Sequence, residues 1–278
     1  MKCIVCVKQV PDTSGVVAVK EDGTMDRAAM DTITNHDDLA AVEAALKIKD
    51  ETGCEVIAVS MGPAPAEGML RELLAMGCDR AVLVSAREFG GSDTYATSQI
   101  IAASIKQIGI DKEDIIFCGR QAIDGDTAQV GPQIAEKLHI PQVTYAAEIQ
   151  KEGDALIVKR LLEDGYMMLK VQTPCLITCV KELNTPRYMS VYGINDCYQK
   201  PLDIYDYETL KDDELIDSRN PGNRNYDYNR DQGSYSDERE FASSGFGTGE
   251  LNEEGGVNEE EPTFEEGDLY QEFDQEGI

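Results

Sequence analysis

Apolar segments of six to nine residues alternate with amphipathic helical patterns over the first half of the chain. The segments read KCIVCVKQV (2–10), CEVIAVSMG (54–62), RAVLVS (80–85) and DIIFCG (114–119). The helical patterns span 36–53, 66–77, 92–109 and a stretch that ends near Leu138. Because each segment is apolar along nearly its whole length, rather than at every second position, it is typical of a strand buried on both faces. The sequence therefore predicts an α/β fold with a parallel sheet covered by helices.

The pattern changes after residue 144. Four apolar or alternating segments separated by the turn sequences EGD, EDG and TP predict an antiparallel excursion over residues 145–183. Residues 184–217 are mixed and polar, which predicts an ordered loop with a short helix and completes a domain that spans 1–217. Residues 218–278 are rich in Gly and Glu and have few aliphatic side chains. They form an acidic tail that is expected either to stay disordered or to dock on a basic partner surface.

The charge of the chain limits its partners. A formal net charge of -28 argues against binding to nucleic acid or to an anionic membrane surface. No stretch approaches the roughly 20 apolar residues of a membrane span, and the N-terminus lacks a signal-peptide pattern, so we expect a cytoplasmic protein without membrane insertion. The eight cysteines mostly fall in apolar strand patterns, which indicates reduced core thiols, and two histidines make a zinc site unlikely to form.

The loops that follow the predicted parallel strands should meet at one edge of the sheet, where such folds bind ligands. These loops, at 8–12, 60–63, 85–97 and 119–131, carry turn residues and small polar side chains. The chain has no GxxxxGK[ST] loop, no GxGxxG after its first strand, no GxSxG elbow and no HExxH helix. We therefore predict a binding site at this edge, with no catalytic residue and no metal.

Two of these loops place polar side chains at the start of a helix, where free N–H groups and the helix dipole attract a pyrophosphate. Ser92, Asp93, Thr94 and Thr97 do so in one loop, and Asp126, Thr127 and Gln129 do so in the next. Gly125 and Gly131 would allow close backbone approach, and Asp126 could accept a hydrogen bond from a ribose hydroxyl. The alternative is that Asp93 and Asp126 simply cap their helices and hold no ligand.

Five segments together carry a resemblance to a known family. They are CVKQVPDT (6–13), NHDD (35–38), SMGP (60–63), GRQAIDGDTAQVGPQIAEKL (119–138) and LNTPRYMSV (183–191). They resemble the β, or small, subunit of electron transfer flavoproteins, over roughly residues 1–215. The resemblance implies an adenine-nucleotide-binding sheet of the alpha-hydrolase-like type. It also implies a larger α subunit that binds the electron-carrying FAD.

The nucleotide that the β subunit holds differs within that family. In simple electron carriers the turn resembles AIDDDCNQTGQ and holds AMP, whereas in electron-bifurcating members it resembles AIDGDTAQVGP and holds a second FAD. This chain has the second form over 122–132, and its FGGSDTYAT loop (89–97) is similar to the bifurcating FGGADTLAT. Gly125 and Ala128 replace larger polar residues, so the resemblance favours FAD over AMP.

The resemblance and the loop pattern together give a set of expected cofactor-binding residues. They are Val7, Lys8, Pro11, Asn35, Asp38, Ser60, Met61, Gly62, Ser92, Asp93, Thr94, Thr97, Gly119, Arg120, Gln121, Asp124, Gly125, Asp126, Thr127, Ala128, Gln129, Val130, Gly131 and Pro132. The implied chemistry is electron bifurcation, in which NADH reduces the β-subunit FAD. One electron then passes over the α-subunit FAD to a flavin-dependent dehydrogenase of the acyl-CoA or hydroxy-acid type. The other passes to a low-potential acceptor such as ferredoxin. The chain would then work within an oxidoreductase complex rather than as a stand-alone enzyme.

Two other functions remain open at this stage: a non-bifurcating carrier subunit with structural AMP, and a nucleotide-sensing regulatory module without a redox role. Residues 183–191 resemble the family's recognition loop for the partner dehydrogenase. Leu183 is the expected hydrophobic anchor, next to Pro186, Arg187 and Tyr188. The chain departs from the family's pattern after Asp217, so the tail lies outside the resemblance.

Overall fold

The computed structural model describes residues 1–12, 31–217 and 221–222, so the predicted acidic tail lies almost entirely outside the described residues. The strands are β1 (Lys2–Cys6), β2 (Gln9–Pro11), β3 (Thr32–Thr34), β4 (Glu55–Met61), β5 (Arg80–Val84), β6 (Ile115–Gly119), β7 (Gln142–Glu152), β8 (Ala155–Leu161), β9 (Tyr166–Gln172), β10 (Cys175–Cys179) and β11 (Leu202–Tyr205). The helices are α1 (His36–Thr52), α2 (Glu67–Met76), α3 (Thr94–Ile108), α4 (Val130–Leu138), α5 (Val191–Asp196) and α6 (Tyr207–Leu210).

A nine-stranded sheet runs through the domain in the order β11-β5-β4-β1-β6-β10-β7-β8-β9. Neighbouring strands are parallel from β11 to β7 and antiparallel from β7 to β9. The predicted mostly parallel α/β fold is therefore confirmed. The predicted helices α1, α2 and α3 form within two residues of their expected ends. At Gly53 the chain adopts φ 71°, the left-handed conformation that ends α1.

Three details of the prediction are wrong. Only β7, β8 and β9 form the antiparallel excursion, because β10 inserts between β6 and β7 and is parallel to both. The first apolar segment, 2–10, is two strands, since β2 leaves the main sheet to pair with β3. Residues 184–217 contain an edge strand, β11, that pairs with β5. Long-range strand pairing decided each of these outcomes, and local sequence patterns report it poorly.

Each face of the sheet is covered by helices. Buried side chains of α1 and α2 pack on one face with Val5, Val56 and Phe117, and those of α3, α4 and α6 pack on the other with Ile4, Ile57 and Ile116. The alternation along β1 and β4 follows from the two-residue repeat of a strand, which presents successive side chains to opposite layers. Residues of both layers reach the carboxyl ends of β1, β4, β5 and β6.

All eight cysteines are unpaired thiols, and seven of them are buried. Cys3 and Cys6 are three residues apart on β1, an odd separation that points their side chains to opposite layers. Within the described part of the chain, no helix is long and apolar enough to cross a membrane.

Candidate nucleotide site

A cavity of 520 Å³ opens at the carboxyl edge of the parallel strands, within the roughly 300–1,000 Å³ typical of small-molecule sites. The loops that follow β1, β4, β5 and β6 all contribute to its wall. Its floor is apolar and is formed by Val84, Phe89, Ile101, Cys118 and Ile134. None of these floor residues was among the expected site residues. Their apolar type is the signal that could have found them, because each is a buried apolar residue in or next to a strand or helix of the sheet edge.

Most of the expected site residues line this cavity, which leaves their role as ligands a prediction. Five do not line it: Pro11, Asn35, Ser60, Asp124 and Pro132. Ser60 is buried, and its hydroxyl has no hydrogen-bond partner among the described residues. Pro11 belongs to the small sheet, and Pro132 lies in the first turn of α4. The residues that line the cavity could contact a ligand directly, whereas these five could support the lining residues from outside it.

The loop between β6 and α4 is held in place by Asn35. Its amide nitrogen donates to the carbonyl oxygen of Gln121 (2.8 Å), and its amide oxygen accepts from the N–H of Ile123 (3.2 Å). Asn35 precedes α1 and has the residue type of a helix cap, but its side chain makes no capping hydrogen bond to that helix. The Lys8 ammonium adds a second tie, since it lies 2.7 Å from Asp124 Oδ1. Asn35 and Asp124 thus support the loop from outside the cavity.

Asp126 does not cap α4, which begins four residues later at Val130. Instead it accepts a hydrogen bond from Gln121 Nε2 (2.7 Å) within the loop, at a φ of 48°. Ala128 also has a left-handed backbone, with φ 52°, a conformation that non-glycine residues other than Asn and Asp rarely adopt. Such strain costs on the order of 1 kcal/mol and is most common at binding sites.

The start of α3 has the expected cap. Asp93 accepts a hydrogen bond from the N–H of Ala96 (2.8 Å). The Thr94 hydroxyl donates to Gln129 Oε1 (3.2 Å), which joins the start of α3 to the loop before α4. The positive ends of both helix dipoles therefore open on one cavity. This arrangement can receive an anionic group such as a pyrophosphate.

Two buried carboxylates at the start of α1 fasten the strand ends around the cavity. Asp38 accepts hydrogen bonds from the N–H groups of Lys8 (2.8 Å) and Gly119 (2.9 Å). Asp37 accepts from the N–H of Lys181 (3.1 Å), and its Oδ2 lies 3.3 Å from Arg120 Nε. Asp38 lines the cavity, whereas Asp37 does not. Burial raises the pKa of both carboxyl groups, that of Asp38 to about 7.

The raised pKa of Asp38 predicts a pH dependence of stability. The unfolded chain loses this proton near pH 4 and the folded chain near pH 7, so the free energy of unfolding falls as the pH rises between them. In Asp38→Asn this decline should be shallower, by about 1 kcal/mol per pH unit between pH 5 and 7. Urea denaturation at pH 5, 6 and 7 measures the slopes. Glu51→Gln, which removes an exposed acid from the same helix, is the control, and parallel slopes for all three proteins would contradict the assignment.

The expected recognition loop is held on α1. Leu183 is only partly exposed and packs against the main core, and its role as a partner anchor stays a prediction. Arg187 binds Glu43 through Nε (2.9 Å) and Nη2 (3.1 Å) and reaches Asp50 (2.7 Å). Asn184 donates to the carbonyl oxygen of Ala40 (3.0 Å). These bonds fix residues 183–187 on α1.

The exposed apolar side chains of this region lie further along the chain. They are Tyr188, Met189, Val191, Tyr192, Ile194 and Tyr198, which we call the 188–198 surface. Tyr188 is 97% exposed and Val191 is 87% exposed, although both are apolar enough to be buried in a typical domain. A groove of 600 Å³ between α2 and α5 adjoins it. A contiguous apolar surface of this kind is typical of a protein-docking site.

Arg187 should contribute measurably to stability, because Glu43 is buried and relies on it. Arg187→Ala leaves that carboxylate unpaired, and we expect a loss of about 2 kcal/mol in the free energy of unfolding. The double variant Arg187→Ala/Glu43→Gln should regain part of the loss, since no buried charge is left over. Chemical denaturation of the three proteins tests this. If the double variant were no more stable than Arg187→Ala, the ion pair would not be the cause.

The fold and the cavity together define an α/β protein with a candidate ligand site at the carboxyl edge of its parallel sheet and two helix starts in the wall of that site. The chain belongs to the electron transfer flavoprotein domain family, because the model of that family matches residues 22–203. It is 67% identical over 218 residues to the acryloyl-CoA reductase electron transfer subunit gamma of Anaerotignum propionicum, a match that covers 78% of this chain and 82% of the relative.

Two further relatives cover a similar part of the chain. The caffeyl-CoA reductase-Etf complex subunit CarD of Acetobacterium woodii is 56% identical over 211 residues, covering 76% of this chain and 80% of the relative. The electron transfer flavoprotein subunit beta of Clostridium acetobutylicum is 50% identical over 222 residues, covering 80% and 83%. The resemblance of this sequence to β-type subunits of the family is thereby confirmed.

Proposed function

We propose that this chain is the β-type subunit of an electron-bifurcating flavoprotein and that its cavity holds FAD. The observation that carries the proposal is the open space beside Gly125. A Cβ atom at Gly125 would meet no atom within 4 Å among the described residues, and Gly125 lines the cavity. Space at this point suits a ligand that extends past the loop, as a dinucleotide does and a mononucleotide need not.

The residues that surround the cavity fit such a ligand. The starts of α3 and α4 supply N–H groups and positive dipole ends for a pyrophosphate, and Thr94, Thr97 and Thr127 add hydroxyl donors. The apolar floor suits the flat faces of a ring system. Asp38 and Asn35 hold the strand ends and the loop, so the cavity keeps its shape before the ligand arrives.

When bound, FAD would accept a hydride, that is two electrons, from NADH and release the electrons singly to two different acceptors. The role of the chain is then to bind and orient the cofactor, not to supply an acid, base or nucleophile. The wall keeps water from the floor, and the helix starts fix the pyrophosphate.

The proposed partners follow from the relatives. Two of them are named as subunits of an acryloyl-CoA reductase and of a caffeyl-CoA reductase-Etf complex. We extend this to a larger flavoprotein subunit and a flavin-dependent acyl-CoA dehydrogenase or reductase as partners of this chain, with a ferredoxin as the low-potential acceptor. The 188–198 surface, fixed by Arg187 on α1, is the proposed docking site for the dehydrogenase.

The nucleotide content of the purified complex tests the proposal. We expect two FAD per heterodimer of this chain with the larger subunit, and reduction of both by NADH. One FAD with one AMP would instead indicate a non-bifurcating carrier. A chain that binds a nucleotide but neither flavin nor a larger subunit would indicate a sensing module.

A further inference from the structure

The strand β9 forms one edge of the nine-stranded sheet. Within the described residues it pairs only with β8, from Leu161 opposite Tyr166 to Ala155 opposite Gln172. The backbone N–H and C=O groups along its outer side are therefore available to another strand. An edge of seven residues is long enough to take one, and natural proteins usually protect such an edge.

The apolar side chains near this edge are exposed on both faces of the sheet. Tyr166 (61% exposed) and Met168 (53%) point to one face, and Met167 (45%) points to the other, beyond the core residues Leu169 and Val171. Leu162, in the turn before β9, is 43% exposed. We call Leu162, Tyr166, Met167 and Met168 the β9 edge surface. Among the described residues, nothing buries these four side chains on either face.

The charges next to this surface indicate what kind of partner it fits. Lys159 lies 4.6 Å from the centre of the Tyr166 ring and 2.6 Å from Glu148 Oε1, and Lys170 lies 3.6 Å from Glu152 Oε2. Both lysines are therefore paired within this chain, and the surface suits an apolar partner rather than an acidic one. A second copy of the chain would bring another net charge of -28 and is repelled. A different chain that offers a free strand with apolar side chains on both faces would match both the open edge of β9 and its exposed apolar side chains.

We propose that β9 takes up a strand of the larger flavoprotein subunit, so that the sheet continues into the partner. This rests on the proposed function, because it assumes that the chain works as one subunit of a complex. Strand addition with burial on both faces produces an extended, dry contact typical of permanent assemblies. The 188–198 surface is a short helix and loop, which suits a partner that binds and leaves.

The two surfaces lie far apart. Helix α2, on which α5 packs, covers β4 and β5, and seven strand spacings separate β5 from β9. At about 4.8 Å per spacing the separation is on the order of 30 Å. The chain can therefore hold the larger subunit and the dehydrogenase at the same time, and loss of one contact leaves the other intact.

Paired variants of equal charge test this separation. Tyr166→Glu/Met168→Glu alters the β9 edge surface, and Tyr192→Glu/Ile194→Glu makes the same change on the 188–198 surface. The four residues are exposed, so both variants should fold. Titration calorimetry with the purified larger subunit should give about a 100-fold weaker Kd for the first variant and an unchanged Kd for the second. Hydrogen exchange of the wild-type chain should slow at residues 166–172 when the larger subunit binds.

Two outcomes would overturn the proposal. One is a complex that forms with wild-type affinity in the Tyr166→Glu/Met168→Glu variant while exchange at 166–172 stays unchanged. The other is protection of 166–172 that grows with the concentration of this chain alone, which would mean a second copy. FAD content, measured on every variant, judges the proposed nucleotide site separately, because neither surface touches the cavity.

Discussion

Replacing Gly125 by Asp should weaken FAD binding about 100-fold without unfolding the chain. The new side chain enters open space beside the cavity, so no neighbouring atom has to move. Its carboxylate would stand near the pyrophosphate that the helix starts attract, and its bulk would occupy the room that the glycine leaves. A like charge a few ångströms away, together with lost space, should weaken FAD binding about 100-fold, or ~2.7 kcal/mol. Fluorescence titration of the apoprotein with FAD measures the change.

Two controls separate this effect from a general loss of stability. Gly165→Asp adds the same charge in the turn between β8 and β9, where a Cβ also meets no atom within 4 Å, and should leave FAD binding unchanged. Gly125→Asp/Ala128→Asn gives the carrier-type residues at these two positions, and Asn suits the left-handed φ of 52° at position 128. This variant should bind AMP in place of FAD. Unchanged FAD affinity in Gly125→Asp would refute the role of the open space.

Replacing Gly119 by Ala should have the largest effect on stability. A Cβ there would lie 2.2 Å from Asp38 Oδ1 and 2.7 Å from the Asp38 backbone nitrogen. Because backbone atoms take part, a rotamer change cannot relieve the overlap, and the start of α1 must move away from β6. We expect a loss of at least about 3 kcal/mol, which lowers the Tm by roughly 10 °C. Thermal unfolding of the purified chain gives the value.

The control for this variant is the same substitution at another glycine of the same cavity. Gly125→Ala places its methyl group in open space and should unfold at the wild-type temperature. FAD affinity should fall in Gly119→Ala, because displacement of α1 carries Asp38 and Asn35 away from the strand end and the loop. Equal melting temperatures for the two alanine variants would show that the close contact at Gly119 is relieved without cost.

The parts of the fold that sequence predicted well are those set by local patterns. The buried strands β1, β4, β5 and β6 are continuous apolar runs, and Gly53 ends α1 where its pattern stops. The position of β10 was not accessible in this way. Its run CLITC is as apolar as any parallel strand, but its place between β6 and β7 depends on pairing across more than 50 residues. The edge strand β11 was missed for the same reason.

Within the site, the strand-end rule found the loops but could not tell which side chains enter the cavity. Asn35 and Asp126 have the residue types of helix caps, yet both bond to the β6–α4 loop instead. A distant partner took the place of the cap for Asn35, and a partner within its own loop did so for Asp126. Leu183 next to Pro186 resembled an exposed anchor, but contact with the core buries much of it. The exposed residues Tyr188 and Val191 carried no local signal that distinguishes them from core positions.

The hydrogen bonds of Asp37 and Asp38 also set the order in which the supports of the site can form during synthesis. These two residues join Lys8, Gly119 and Lys181, which are separated from them by 30, 81 and 144 positions. On the ribosome, the first half of the chain emerges with the β6–α4 loop but without Lys181, which follows β10 and donates the last of these hydrogen bonds. The hydrogen bond from the N–H of Lys181 to Asp37 can therefore form only after residue 181 has left the exit tunnel. The support at the start of α1 is then completed late in synthesis, after every loop that lines the cavity has emerged.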